Sequence, residues 1–443
     1  MNTPIADFVK KYSYDEYVRF HMPGHKGNAF LGCEAFDITE VKGADSLYEA
    51  NGIIEESEKN AATLFGTKRT VYSTEGSSQC IKAMLHLALT YKKRSGRPYV
   101  IAARNAHKAF LYAVALLDLD VVWLWPDEIS SICSCPITAG QIEEVIGQMD
   151  ELPIAVYLTS PDYLGGMADI KAIAETCHKY GTILAVDNAH GAYLRFLNQS
   201  LHPIDWGADI CCDSAHKTLP VLTGGAYLQI SKNAPEYFVE NAKNAMALFG
   251  STSPSYLTLM SLDMCNDYLE NGYYSALFAT VSNLKNVKET LCDNGWEVPE
   301  TEPLKIVIKS PKFATGEGIA NMLRRKQIEC EYADKDYIVF MVTPENSYDH
   351  LQYLTEALGE NTLGASEKKP FRPIKCEREL TVRKAMFSKQ EIIRVEDAKG
   401  RICASPMVGC PPAIPIVVSG EIITDEAIEL FLYYGIKEIS VVA

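Results

Sequence analysis

From about residue 55 to 230, short apolar runs alternate with stretches whose apolar residues return every three or four positions. The runs predict strands at Thr70 to Ser73, Tyr99 to Ala102, Val121 to Trp125, Ile154 to Thr159, Ile183 to Val186, Asp209 to Cys212 and Gly225 to Ile230. The periodic stretches predict helices at Ala61 to Phe65 with the turn before it, at Ser77 to Lys92 and at Asp169 to Tyr180. Gly181 follows the last of these, the residue expected just past a helix end. Such alternation argues for a mostly parallel sheet covered on both faces, with ligands bound at the carboxyl ends of its strands.

After Ile230 the pattern turns mainly helical, from Ala234 to Cys292. A second alternation then predicts a strand at Leu304 to Ile308, a helix at Gly318 to Arg325, an extended pair at Ile328 to Tyr332 and Tyr337 to Val342, and a helix at Tyr348 to Leu358. Gly359 to Lys369 is polar and aperiodic and reads as a linker. The last stretch predicts strands at Ile414 to Val418 and Ile439 to Val442 around a helix at Asp425 to Tyr434. The first fifty residues are rich in His, Pro and Gly with little periodicity, which reads as an extended arm. The expected division is an arm over 1–50, a large domain over 51–300, a small α/β domain over 301–360 and a C-terminal domain over 370–443.

Composition narrows this picture. With 443 residues, 47% hydrophobic and 22% charged, the chain can bury a large core and exceeds one ordinary domain. A net charge of -15 argues against a nucleic-acid partner and suits a cationic solute. The 13 cysteines are scattered without a framework, and Cys211 and Cys212 fall in an apolar run, so they read as reduced core thiols. Cys133 and Cys135 have no second pair at ligand spacing, and no metal is expected. There is no run of eighteen apolar residues, and the opening Met-Asn-Thr-Pro-Ile-Ala-Asp-Phe lacks a basic region followed by an apolar one; a cytoplasmic location and no membrane partner are expected.

Chemistry concentrates at three strand ends. In Asp209-Ile-Cys-Cys-Asp-Ser-Ala-His-Lys-Thr-Leu-Pro220, Lys217 sits just past an apolar run and is either a surface lysine or an amine made nucleophilic by partial desolvation. Thirty positions upstream, Thr182-Ile-Leu-Ala-Val runs into Asp187, which either caps the next turn or pairs with a cationic ring nitrogen. Val71-Tyr-Ser-Thr-Glu-Gly-Ser-Ser-Gln79 places Gly76, Ser77 and Ser78 at a helix start, an ordinary cap or a cradle for a dianion. A lysine for a Schiff base, an acid for a ring nitrogen and a phosphate cradle together describe a pyridoxal 5'-phosphate site.

The order of motifs then resembles a known family. His21-Met-Pro-Gly-His-Lys-Gly27, Asp37-Ile-Thr-Glu-Val-Lys-Gly-Ala-Asp-Ser-Leu-Tyr48, the Gly-Ser-Ser cradle, Arg104-Asn-Ala-His-Lys108, Asp187-Asn-Ala-His190, Ser214-Ala-His-Lys217 and Ser251-Thr-Ser-Pro-Ser-Tyr256 are similar, in sequence order, to the bacterial ornithine/lysine/arginine decarboxylases. The likeness is to their short form, without an N-terminal wing domain. It implies an α/β chain with the aspartate-aminotransferase-like fold: a mostly parallel large-domain sheet, a small α/β domain and a C-terminal α+β domain. It also implies decarboxylation of arginine, lysine or ornithine. By the same resemblance Lys217 and Asp187 act on the cofactor, Ser214 and His216 join Gly76, Ser77 and Ser78 around its phosphate, and His107 stacks on its ring.

His190 stands near the phenolic oxygen, where other branches carry tryptophan. Thr252 reaches the neighbour's phosphate, which implies a homodimer with composite sites and leaves a higher assembly open. The arm crosses that dimer with His21, His25 and Lys26, and His25 and Glu421 are the substrate-facing candidates. Cys410 and Ala413 replace the family's tyrosine and glycine, which leaves side-chain specificity open. Transamination, β- or γ-elimination and a non-catalytic cofactor-binding relative are the alternative readings.

Overall fold

The computed structural model describes residues 1–92, 96–126, 131–364, 373–408 and 412–443. Seven strands fall within one residue of the first seven apolar runs: β1 (Arg69–Ser73), β2 (Tyr99–Ala103), β3 (Asp120–Leu124), β4 (Ala155–Thr159), β5 (Ile183–Asp187), β6 (Ile210–Asp213) and β7 (Ala226–Ile230). Two compact units share them: Met1–Lys93 with Ile170–Phe278, and Arg94–Asp169 with Ala279–Ala443.

In the first unit the strands lie in the order β1-β7-β6-β5. Every residue of β5 and β6 is buried, as an apolar run flanked on both faces requires, and the two pair in parallel. β7 runs against both of its neighbours, β6 and β1. The helix Ser77–Tyr91 packs over β5, β6 and β7 through Cys80, Met84, Leu87 and Ala88. Its N-terminus therefore sits at the strand ends that carry Asp187 and Ser214.

The arm is not extended throughout. Pro4–Tyr14 is a helix with Pro at its start, and Ile5, Ala6 and Val9 form a buried stripe against the helix Tyr256–Glu270. Asp263 from that helix accepts the Ala6 N–H at 2.9 Å, satisfying a donor that the first helical turn leaves open. Residues 15 to 50 are irregular, and there the Glu34 carboxylate accepts the N–H groups of Phe30 and Gly32, each at 2.8 Å.

In the second unit β2 lies between β4 and β3, parallel to both. A separate antiparallel sheet has the order β8-β10-β9, with β8 (Lys305–Lys309), β9 (Tyr332–Ala333) and β10 (Tyr337–Met341). Near the C-terminus β11 (Gln390–Arg394) pairs with β12 (Glu438–Val442), and the helix Asp425–Tyr433 forms as expected.

Two expectations change here. Only Tyr332 of Ile328 to Tyr332 is in a strand. Ile414 to Val418 is buried but is not a strand, because the carbonyls of Pro415 and Ile416 accept from the Arg104 guanidinium at 2.8 and 2.9 Å instead of from a ladder. Of the expected linker, residues 365–369 lie outside the described residues, as does Cys410.

Candidate active site

β6 ends at Asp213, Ser214 turns the chain, and the short helix Ala215–Thr218 presents Lys217. Lys217 Nζ lies 3.0 Å from His190 Nε2, on the turn that leaves β5. His190 is buried and Lys217 is half-buried.

Asp187 is the last residue of β5 and faces Cys212 across the parallel register. Its Oδ1 accepts from the Ala189 N–H at 3.2 Å and from the Cys212 thiol at 3.5 Å. Adjacent residues on a strand point to opposite faces. Asn188 accordingly turns the other way, where its Nδ2 donates to Asp213 Oδ1 at 2.6 Å. Gln229 of β7 and His202 complete the grip on Asp213, at 2.9 and 3.1 Å. This buried hub joins the ends of β5, β6 and β7.

His202, Cys211 and Asp213 also bring potential metal-ligand atoms within 4.8 Å of one another. The Asp213 oxygens already take three nitrogen donors, and burial holds the Cys211 thiol far above its ordinary pKa, so the group reads as a hydrogen-bond hub with a neutral thiol.

At the cradle, Gly76 has φ +71° and ψ -179°, a region open to glycine alone. It starts the 15-residue helix Ser77–Tyr91, and Ser214 Oγ donates to Ser77 Oγ at 2.9 Å, so two loops bring hydroxyls to one helix start. His216 Nδ1 donates to the Gly225 carbonyl at 2.9 Å. Burial lowers the His216 pKa, with Lys217 adding to the effect, and the ring is neutral near pH 7. Thr252 is exposed on the loop after Gly250, and a Cβ at Gly250 would meet Tyr48 Oη at 1.8 Å.

These residues fit pyridoxal phosphate on chemical grounds: an amine with a proton partner, a buried carboxylate oriented by two donors, and a helix start lined with hydroxyls.

Also in this unit, His25 Nε2 lies 3.1 Å from Asp37 Oδ2 while its Nδ1 accepts from Gly27 N–H at 3.0 Å. His21 Nε2 lies 2.6 Å from Tyr12 Oη, and Lys26 Nζ donates to the His21 carbonyl at 2.5 Å.

In the second unit His107 caps the helix Lys108–Leu117, its Nδ1 accepting from Ala109 N–H at 3.1 Å. Arg104, three residues earlier, lies between the rings of Trp123 and Trp125, 5.3 and 5.2 Å from their centroids. Besides the two carbonyls it reaches Glu421 Oε2 at 3.4 Å, an oxygen that also accepts Val418 N–H at 2.7 Å. Glu421 is 5% exposed, and burial raises its pKa against the pull of Arg104. The carboxylate read as a receiver of a distal cation thus already has an internal one. Ala413 is buried at φ +58°, which accounts for a glycine at the corresponding family position, and its carbonyl accepts Lys108 N–H at 2.9 Å.

Sequence reasoning did not find the Asp213 hub, the Lys217–His190 contact or the Cys212 thiol on Asp187. Strand register decides which residue of β6 stands beside Asp187, and no single-chain pattern states it.

The model of the Orn/Lys/Arg decarboxylase major domain matches residues 3–314, and that of the family's C-terminal domain matches residues 367–438. The Bacillus subtilis protein YaaO is 28% identical, over 97% of this chain and 93% of its own length. The arginine decarboxylase of B. subtilis is also 28% identical, over 96% of this chain and 92% of its own. The constitutive lysine decarboxylase of Escherichia coli superposes with a TM-score of 0.80 at 17% identity, covering 100% of this chain and 82% of that one, which establishes a common fold. The chain belongs to the Orn/Lys/Arg decarboxylase family and is a pyridoxal-phosphate-dependent decarboxylase.

Proposed function

We propose that this protein removes the α-carboxylate of a basic amino acid, arginine, lysine or ornithine, as CO2, and releases the corresponding amine. The observation that carries the reading is the Lys217 Nζ to His190 Nε2 contact at 3.0 Å, with a buried carboxylate, Asp187, three residues before His190 accepting from an amide and a thiol. The arginine decarboxylases that align with almost the whole chain support a basic substrate.

Lys217 is the residue for the covalent link, and Asp187 pairs with the ring nitrogen. Gly76, Ser77, Ser78, Ser214 and His216 hold the phosphate. His107 is assigned to the ring face and His190 to the phenolic oxygen. When bound, pyridoxal phosphate supplies the conjugated ring that takes up the electron pair freed as CO2 leaves.

The chain's own groups manage the protons. Lys217 Nζ passes a proton to His190 Nε2 and becomes a neutral, nucleophilic amine. The same pair returns a proton to the α-carbon after CO2 departs. With its Nδ1–H committed to Gly225, His216 would hold the phosphate through its other ring nitrogen, and a dianion there would favour the charged ring.

We also propose a homodimer with composite sites, in which Thr252 of one protomer completes the phosphate site of the other. Val18, Phe20, Phe30 and Leu31 of the arm are each more than 80% exposed, and apolar side chains gathered on one segment call for a cover. The arm, large, small and C-terminal domains at 1–50, 51–300, 301–360 and 370–443, His25 and Glu421 near the substrate, and a cytoplasmic location belong to the same proposal. Among the described residues no helix is long and apolar enough to cross a membrane.

The test is a panel of amino acids given to the cofactor-loaded protein. Amine and CO2 are expected from at least one of arginine, lysine and ornithine. Keto acid in place of amine, or no turnover of any of the three, contradicts the proposal.

A further inference from the structure

The parallel register of β5 and β6 sets Asp187 directly beside Cys212, and both side chains are buried. The thiol donates to Asp187 Oδ1 at 3.5 Å, the oxygen that also takes the Ala189 N–H at 3.2 Å. The main chain is fixed at the same point, with Asn188 N–H on the Cys212 carbonyl at 3.0 Å and the Asn188 side chain on Asp213. A carboxylate this far from water needs donors in place of solvent. The sulfur keeps its proton for that purpose: burial first, and the charge of Asp187 second, hold the thiol well above its ordinary pKa.

We propose that Cys212 is a positioning residue for the reaction, its S–H holding Asp187 Oδ1 so that the carboxylate faces, as an anion, the protonated ring nitrogen of the cofactor. The proposal rests on the assignment of Asp187 to that nitrogen. It gives Cys212 a role that its apolar surroundings conceal, because a buried thiol ordinarily acts as a small hydrophobe. A thiol is also a weak donor, so replacements that change donor strength and those that change volume rank differently.

The test is a series, Cys212→Ser, Cys212→Ala and Cys212→Val, loaded with pyridoxal phosphate carrying 15N in the ring. The 15N shift reads the protonated fraction of the ring nitrogen, and a titration reads the cofactor Kd. If the donor matters, Ser matches or exceeds Cys. Ala and Val then both lower the protonated fraction and raise Kd about threefold to tenfold, the range of one lost hydrogen bond.

If Cys212 only fills space, Ser and Ala, nearly equal in volume, fall together, and the proposal is overturned. Identical values across the series overturn it as well. Should Val disturb folding, the Ser and Ala variants, close in size, decide between donor and volume. Wild-type protein that takes up no cofactor overturns the assignment of Asp187 and the inference with it. Normal uptake with the volume order overturns the inference alone.

Discussion

Two strand ends carry the polar motifs of this chain, and they use them differently. At the end of β5 and β6, Lys217 meets His190, Asp187 is oriented by an amide and a thiol, and Ser214 meets Ser77. These contacts leave groups poised around a helix start. At the end of β2, the most strongly polar side chain, Arg104, holds two main-chain carbonyls and Glu421 between two tryptophans. Both ends are polar and buried, yet the first gathers an amine, a carboxylate and two hydroxyls, while at the second the Arg104 guanidinium is taken up by the chain's own carbonyls and carboxylate. A conspicuous charge at a strand end therefore identifies function only once its partners are known.

The largest expected effect separates the two ends in one paired experiment. Lys217→Ala should lower turnover by about a thousandfold or more while leaving the unfolding midpoint of the cofactor-free protein near wild type. Arg104→Met should do the reverse in emphasis. It strands a buried carboxylate and two carbonyls, at a cost of about 3–5 kcal/mol, which a urea titration will register as a lower midpoint. Equal stability of Arg104→Met and wild type would erase the contrast.

Much of this architecture was legible in advance, for identifiable reasons. Seven apolar runs became seven strands: six are buried along nearly their whole length, and β3, last in the strand order, is half-buried from Asp120 to Trp123. The positions of Asp187, Ser214 and Lys217 at and just past strand ends were legible because apolar runs lead straight into them. Ile414 to Val418 misled, since an apolar run records burial and does not say which donor its carbonyls find; here it was Arg104. The helix at Pro4–Tyr14 was missed because its stripe is only Ile5, Ala6 and Val9, too short to stand out beside the His- and Gly-rich stretch that follows. Glu421 kept its position but gained a partner more than three hundred residues away in sequence, beyond any local pattern.

A smaller effect sharpens the picture of the first end. The fold holds His216 below its ordinary pKa through burial, which outweighs the pull of the Gly225 carbonyl and to which Lys217 adds a smaller push. The neutral ring is the form the fold prefers. Its contribution to stability is therefore complete above about pH 6.5, the unfolded value, and is lost as pH falls through the lower folded value. Unfolding midpoints of the cofactor-free protein at pH 8 and pH 5.5 should show this loss in wild type and less of it in His216→Gln. Adding pyridoxal phosphate should offset the acid loss in wild type, because the dianion favours the charged ring. No difference between the two cofactor-free proteins on acidification would contradict the lowered pKa of His216.

The central claim is that one amine, Lys217, holds the cofactor. Protein incubated with pyridoxal phosphate, reduced with borohydride, digested and sequenced by mass spectrometry should carry the pyridoxyl group on the peptide containing Lys217 and on no other. A label on a different lysine, or none at all from protein that had taken up the cofactor, would contradict the account.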